Sequence, residues 1–145
     1  MITEFQGSYR WLSNFWPAPI THKRKKFKSV EYGYQYYKTS NPIVRDRILA
    51  ARTPGEAKRL GKLYPKPRWD AERVDVMLEL LLAKFSQHPD LKAKLLATED
   101  QKLIEGNYWH DTFWGVCNCP RHAGEGDNIL GKLLMEVRAR LRKKG

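Results

Sequence analysis

The segment Ser29 to Lys38, SVEYGYQYYK, sets a carboxylate, an amide and an ammonium among four tyrosines. At 3.6 residues per helical turn, Glu31, Gln35 and Lys38 fall on one stripe. A carboxylate among aromatic rings loses hydration, which raises its pKa and makes it a usable acid or base near neutral pH. The alternative is a plain pairing of Glu31 with Gln35 or Lys38 on a half-exposed face, and the residues alone leave both readings open. Gly33 in the same helix costs about 1 kcal/mol relative to alanine. Such a glycine implies a close approach, most simply by a neighbouring helix.

Three further stretches concentrate unusual chemistry. In YWHDTFWG (Tyr108 to Gly115), Trp109, Phe113 and Trp114 offer flat faces on which a base could stack, while His110 and Asp111 offer proton transfer or hydrogen bonds to a ribose. The plainer alternative is that these rings fill a small core. Gly124-Glu125-Gly126-Asp127-Asn128 leads into a predicted helix, whose free N–H groups could hold a phosphate. It matches neither a P-loop nor a dinucleotide fingerprint, and Asp127 or Asn128 could simply cap the helix. CNCPRH (Cys117 to His122), with His110 nearby, raises the question of zinc. C-x-C-x2-H is not a standard finger spacing, so the reading sets metal aside. Lys58, Lys84 and Trp69 read individually as surface charge and core. No GxSxG, HExxH or kinase pattern occurs.

The elements that must position these residues follow from periodicity and caps. Ile2 to about Lys28, interrupted by Pro17 and Pro19, predicts two or three short strands. Ser29 should N-cap a helix to about Thr39, and Asn41-Pro42 should start another to about Arg52. Thr53-Pro54-Gly55-Glu56 is a capping box opening a third helix, to about Leu63. Val74, Met77, Leu78, Leu81, Leu82 and Phe85 define a long amphipathic helix from about Ala71 to Gln87. Pro89 to about Ala97 should be a short helix with Leu91, Leu95 and Leu96 inward. Lys102 to Glu105 reads as a strand, and Gly106 to Gly126 as an aromatic, glycine-rich loop. A last helix, about Asn128 to Arg142, should bury Ile129, Leu133, Leu134, Val137 and Leu141. The expected class is mainly helical α+β.

The whole chain sets the frame for these parts. Its 145 residues suit one domain, 1–145, able to bury a core without staples. A net charge of +11 would attract phosphates, nucleotides or nucleic acid. Much of it lies in HKRKKFK (His22 to Lys28) and RARLRKK (Arg138 to Lys144), which read as a solvated hairpin tip and a helix end. The two cysteines suit a reducing compartment. No apolar run reaches the roughly 20 residues that span a bilayer, and MITEFQGSYRWL lacks a signal-peptide layout. A cytoplasmic protein with no membrane partner is expected.

The ordered segments WLSNFWPAPI (11 to 20), FKSVEYGYQYYK (27 to 38), PGEAKRLGK (54 to 62), RWDAERVDVM (68 to 77), AKFSQHPDL (83 to 91), LLAT, LIEGN, FWG (113 to 115) and DNILGKLLMEVRARL (127 to 141) resemble the NADAR superfamily, also called YbiA-like. The resemblance runs through nearly the entire chain. It implies a compact orthogonal helical bundle with a few short N-terminal strands, and N-glycosidase chemistry without a cofactor. The implied substrate is a phosphorylated ribosyl or ADP-ribosyl compound: a ribosylamino-pyrimidine phosphate of riboflavin biosynthesis, or ADP-ribose on guanine, including nucleic acid carrying it. In the family's S-x-E-x-x-x-Q-x-x-K pattern the catalytic glutamate falls on Glu31, with Gln35 and Lys38 behind it. The resemblance adds Asn14, Phe15, Trp69, Asp111, Trp114 and Asn128 as pocket positions; for the chemistry, Asp111 is expected to be catalytic with Glu31, Asp111 or Asn14 to orient the ribose hydroxyls, and Lys58 with Lys38 to bind phosphate. Two departures stand out: Tyr32 replaces the family's common His, and the loop VCNCPRHAGEGD is longer than in the family's compact form. A non-catalytic basic module that binds nucleic acid or ADP-ribose is the competing expectation.

Overall fold

The computed structural model describes residues 1–144. The chain divides into two compact units, one formed by Asn14–His88 and one by Met1–Ser13 with Pro89–Gly145.

The Asn14–His88 unit begins with a hairpin of β1 (Ile20–His22) and β2 (Lys25–Phe27), paired antiparallel with Ile20 opposite Phe27. Lys23 and Arg24 form its tip with left-handed φ of 50° and 66°, as a tight two-residue turn between twisted strands requires. Helix α1 (Val30–Lys38) follows. Ser29 stands at its N-cap with extended backbone, yet its side chain makes no cap hydrogen bond, contrary to the expectation. Helix α2 (Pro42–Ala50) is capped as expected, Asn41 Oδ1 accepting from the N–H groups of Ile43 and Val44. At α3 (Pro54–Leu60) Thr53 Oγ1 accepts from Glu56 N, and the Glu56 carboxylate returns to Arg52 N, one residue before the position in a standard capping box.

Helix α4 (Trp69–Gln87) starts two residues before the predicted boundary, after Arg68 turns the chain with φ 64°. Its buried face carries Met77, Leu80, Leu81 and Phe85, and with them the fully buried Lys84. Leu80 explains Gly33, since a Cβ there would come within 2.9 Å of Leu80 Cδ2 and 3.1 Å of Phe27. The close approach expected at Gly33 is thus α4 and the hairpin packing on α1. His22 ties the hairpin down, with Nδ1 2.7 Å from the Tyr37 hydroxyl and Nε2 2.9 Å from Glu79.

In the other unit the early strands give way to a 3-10 helix at Gly7–Leu12, and Ile2 keeps only a single parallel bridge to Leu103. The strand expected at Lys102 to Glu105 is likewise absent, and β3 (Gly106–Asn107) pairs in parallel with β4 (Val116–Cys117) just beyond it. The backbone from Leu103 to Glu105 finds other partners: Ile104 N donates to Ile2 O, Asn128 Nδ2 donates to Leu103 O, and Glu105 N donates to Asn128 Oδ1. With those groups satisfied no ladder is needed there. Helix α5 (Pro89–Ala97) packs against α6 (Ile129–Lys144), burying Leu91 and Leu95 with Leu130, Leu134, Val137 and Leu141. Arg138 is buried as well, its guanidinium donating to Thr98 Oγ1 and Gln101 O, both at 2.9 Å. Helices dominate and the strands are short, so the expected α+β class holds. Among the described residues no helix is long and apolar enough to cross a membrane.

Candidate active site

Glu31 lies in the first turn of α1 and is 6% exposed. Its backbone N–H donates to Asn14 O at 3.1 Å, and its carboxylate accepts from Gln35 Nε2 at 2.9 Å. The positive end of the helix favours a negative charge in that turn. Gln35 is fixed from behind by Gly61, the C-cap of α3, where any Cβ would overlap the Gln35 amide. Three neighbouring polar atoms are buried without a hydrogen-bond partner among the described residues: Asn14 Oδ1, Ser29 Oγ and Gln35 Oε1. Buried polar atoms are almost always satisfied, so three such atoms call for an explanation: Gln35 bonds the Glu31 carboxylate, Asn14 bonds the Glu31 N–H through its backbone C=O, and Ser29 precedes Glu31 by two positions.

A cleft of about 420 Å³ opens along the same unit, lined by Tyr34 and Lys38 from α1, Trp69, Asp70 and Arg73 from α4, and Pro65, Lys66 and Arg68 from the segment before α4. Tyr34 and Trp69 form a tilted pair with ring centroids 5.2 Å apart, and Lys66 Nζ lies 5.7 Å from the Trp69 ring centroid. Four cations against one carboxylate make the cleft suited to a phosphorylated, flat-ringed ligand. Burial pushes the Lys38 ammonium below its ordinary value; the Glu31 charge opposes this, while Lys62, Lys58 and Arg73 add to it. Lys58 is exposed and belongs to the site only through that shared positive field. Phe15 is exposed at 40%.

Tyr32 points elsewhere. Its hydroxyl donates to Ala51 O at 2.9 Å, and burial, followed by the Glu56 charge, pushes its pKa up. Asp111, Trp114 and Asn128 belong to the other unit. Asp111 Oδ1 accepts from the N–H groups of Phe113 and Trp114, and the Asn107 side chain grips Asp111 through both its N–H and its C=O. Phe113 and Trp114 meet edge to face at 4.9 Å. Asn128 uses both ends of its amide on the backbone of Leu103 and Glu105. These residues build the aromatic loop and anchor α6.

Reading single residues as surface or core missed Lys84, Lys66, Arg68 and Arg73. For Lys84 a signal existed, since it falls seven residues after Met77 on the predicted apolar stripe. The cleft cations carried none, because charges beside a helix start ordinarily face water.

A family model described as the NADAR domain matches residues 3–142. N-glycosidase YbiA of Escherichia coli (strain K12) is 37% identical over 136 residues, covering 92% of this chain and 82% of that protein. The chloroplastic riboflavin biosynthesis protein PYRR of Zea mays is 36% identical over 147 residues, covering 89% of this chain and 23% of that protein. The NMR structure of the E. coli protein YbiA is similar with a TM-score of 0.83 at 33% identity, covering 99% of this chain and 84% of that one.

Proposed function

Since this chain belongs to the NADAR domain family, we propose that it is an N-glycosidase, hydrolysing the bond between a ribose C1 and a nitrogen in a phosphorylated, nucleotide-like substrate. The observation that carries the reading is the buried Glu31 carboxylate with the unpaired Asn14 Oδ1, Ser29 Oγ and Gln35 Oε1 on the residues around it. A ribose, with its ring hydroxyls and an attacking water, supplies the partners those atoms lack.

Breaking a ribosyl C–N bond builds positive charge on the sugar, and a fixed carboxylate lowers that barrier electrostatically. Glu31 is held by Gln35 and takes the proton of the attacking water. Asn14 and Ser29 orient the ribose. Trp69, paired with Tyr34, offers a face for the base, and Lys38 with Lys66 and Arg73 neutralises phosphate. Phe15, 40% exposed, covers a bound ring, and Lys58 contributes at longer range. Asp111, whose Oδ1 is used by two backbone N–H groups, has the role of holding Trp114 in the aromatic loop rather than moving a proton, and Asn128 anchors the same region.

A ribosylamino-pyrimidine phosphate is the favoured substrate, supported by the relatives named for riboflavin biosynthesis. ADP-ribose on guanine is the second reading, favoured by the net charge of +11. Residues 1–145 act as one functional domain, as a family match running through both units suggests. Cys117 and Cys119 form no disulfide, which suits the reducing cytoplasm.

Purified protein incubated with each substrate should release free base from one of them. Glu31→Gln should lower kcat by roughly 10²- to 10⁴-fold at unchanged melting temperature. Full turnover in Glu31→Gln would remove Glu31 from the chemistry, and release from neither substrate, with polynucleotide binding retained, would favour the non-catalytic basic module.

A further inference from the structure

We propose that His110, Cys117, Cys119 and His122 form a structural zinc site. The ligand atoms of these four side chains all lie within 4.8 Å of one another. Cys119 Sγ is 3.4 Å from His110 Nδ1 and 3.2 Å from His122 Nδ1, and the two imidazole nitrogens are 3.4 Å apart. A tetrahedral zinc with bonds of about 2.3 Å to sulfur and about 2.05 Å to nitrogen sets S···N edges near ~3.5 Å and N···N edges near ~3.3 Å. The three separations therefore match the edges of one coordination tetrahedron. Pairwise hydrogen bonding accounts for them poorly, because three groups converge on one point instead of each choosing a partner.

The backbone is folded to aim these atoms together. Cys119 O accepts from His122 N at 3.2 Å and Ala123 N at 2.8 Å, while Gly124 N donates to Cys117 O and Cys117 N to Glu125 O. Left-handed φ at Ala123 (49°) and Gly124 (86°) turns the chain back on itself. The result is a knuckle that carries three of the ligands. His110, itself at φ 73°, arrives from a separate loop that the Asn107 to Cys117 pairing of β3 with β4 holds alongside. From sequence alone, metal is set aside for C-x-C-x2-H with His110 nearby, because the spacing is not that of a standard finger. Both cysteines are buried and His110 is exposed, which leaves a route for the ion to enter. Two thiolates and two imidazoles in a tetrahedral arrangement select zinc, and four protein ligands without an open position make the site structural. The ion would clamp the long loop between Gly115 and Asn128, and this assignment stands independently of the glycosidase chemistry.

The test uses the full chain. Protein purified without chelator should carry a single zinc per chain by mass spectrometry of the metal. After chelation and reconstitution with cobalt(II) it should show the strong visible absorption of a tetrahedral site and a sulfur-to-cobalt charge-transfer band. His110→Asn alters an exposed side chain and should weaken zinc binding by roughly 10-fold or more, and Cys119→Ser should diminish the charge-transfer band. Chelation should lower the melting temperature of the wild type and leave that of a zinc-free variant unchanged. Wild-type protein that holds no zinc as purified and takes up neither ion overturns the proposal. So does a cobalt spectrum without thiolate charge transfer, or one that Cys119→Ser leaves intact.

Discussion

Lys84 sits in surroundings that its chemistry does not favour: fully buried on α4, its ammonium is brought down to about 7 by desolvation. The native chain therefore binds fewer protons at this site than the unfolded chain wherever the pH lies above about 7 and below the ordinary 10.5. Stability must rise with pH across that window, and below it both states are protonated and the contribution is flat. The depression from 10.5 to about 7 corresponds to at most about 5 kcal/mol. Urea midpoints measured from pH 7 to 9.5 should climb in the wild type and lose most of that slope in Lys84→Met; equal slopes would refute the assignment. Gly61 bears on the same unit through geometry alone. Its φ of −63° suits any residue, so the only obstacle to Gly61→Ala is the Gln35 amide that a Cβ would overlap. The substitution should displace Gln35 from Glu31, lowering kcat by roughly 10-fold through misplacement of a catalytic group. A kcat equal to wild type would show that Gln35 does not position the carboxylate.

Caps are where local sequence and local structure agree best. Thr53→Ala removes the acceptor of Glu56 N, which should cost about 1 kcal/mol and lower the melting temperature by roughly 3 °C for a chain of this size; no change in a thermal scan would mean that the α3 cap contributes nothing. The caps of α2 and α3 and the stripe of α4 were legible because each depends on residues within a few positions of one another. What was not legible depends on partners distant in the chain. Ser29 looks like a cap by composition, yet its hydroxyl makes no cap bond in the fold. The 102–105 segment reads as a strand, but Ile2 and Asn128 take up its backbone groups. The sequence places His110 near Cys117 to His122, but that the four ligand atoms lie within 4.8 Å of one another follows from two loops meeting beside β3 and β4. At the candidate site the resemblance picked out Glu31, Gln35, Lys38 and Trp69, whereas Lys66, Arg68 and Arg73 emerged only when the start of α4 and the segment before it folded beside α1.

Over the whole molecule the question is which part of the +11 charge serves the cleft and which acts at a distance. Lys23, Arg24, Lys25 and Lys26 form an exposed cluster on the β1–β2 hairpin, and none of them lines the cleft. Such a cluster attracts polyanions through a field that salt screens, whereas phosphate gripped inside a partly buried cleft is screened much less. Binding of a DNA duplex to the Glu31→Gln protein should therefore fall steeply with salt, on the order of 100-fold between about 50 and about 200 mM if about four phosphates are engaged. Lys25→Glu with Lys26→Glu should flatten that dependence while leaving turnover of a small ribosylamino phosphate near its wild-type value. The opposite pattern, with small-substrate turnover lost and DNA binding retained, would place the working phosphate site on the hairpin rather than in the cleft. If both activities fall together, one basic surface serves both ligands, and nucleic acid carrying the N-glycoside becomes the natural substrate of the Glu31 site.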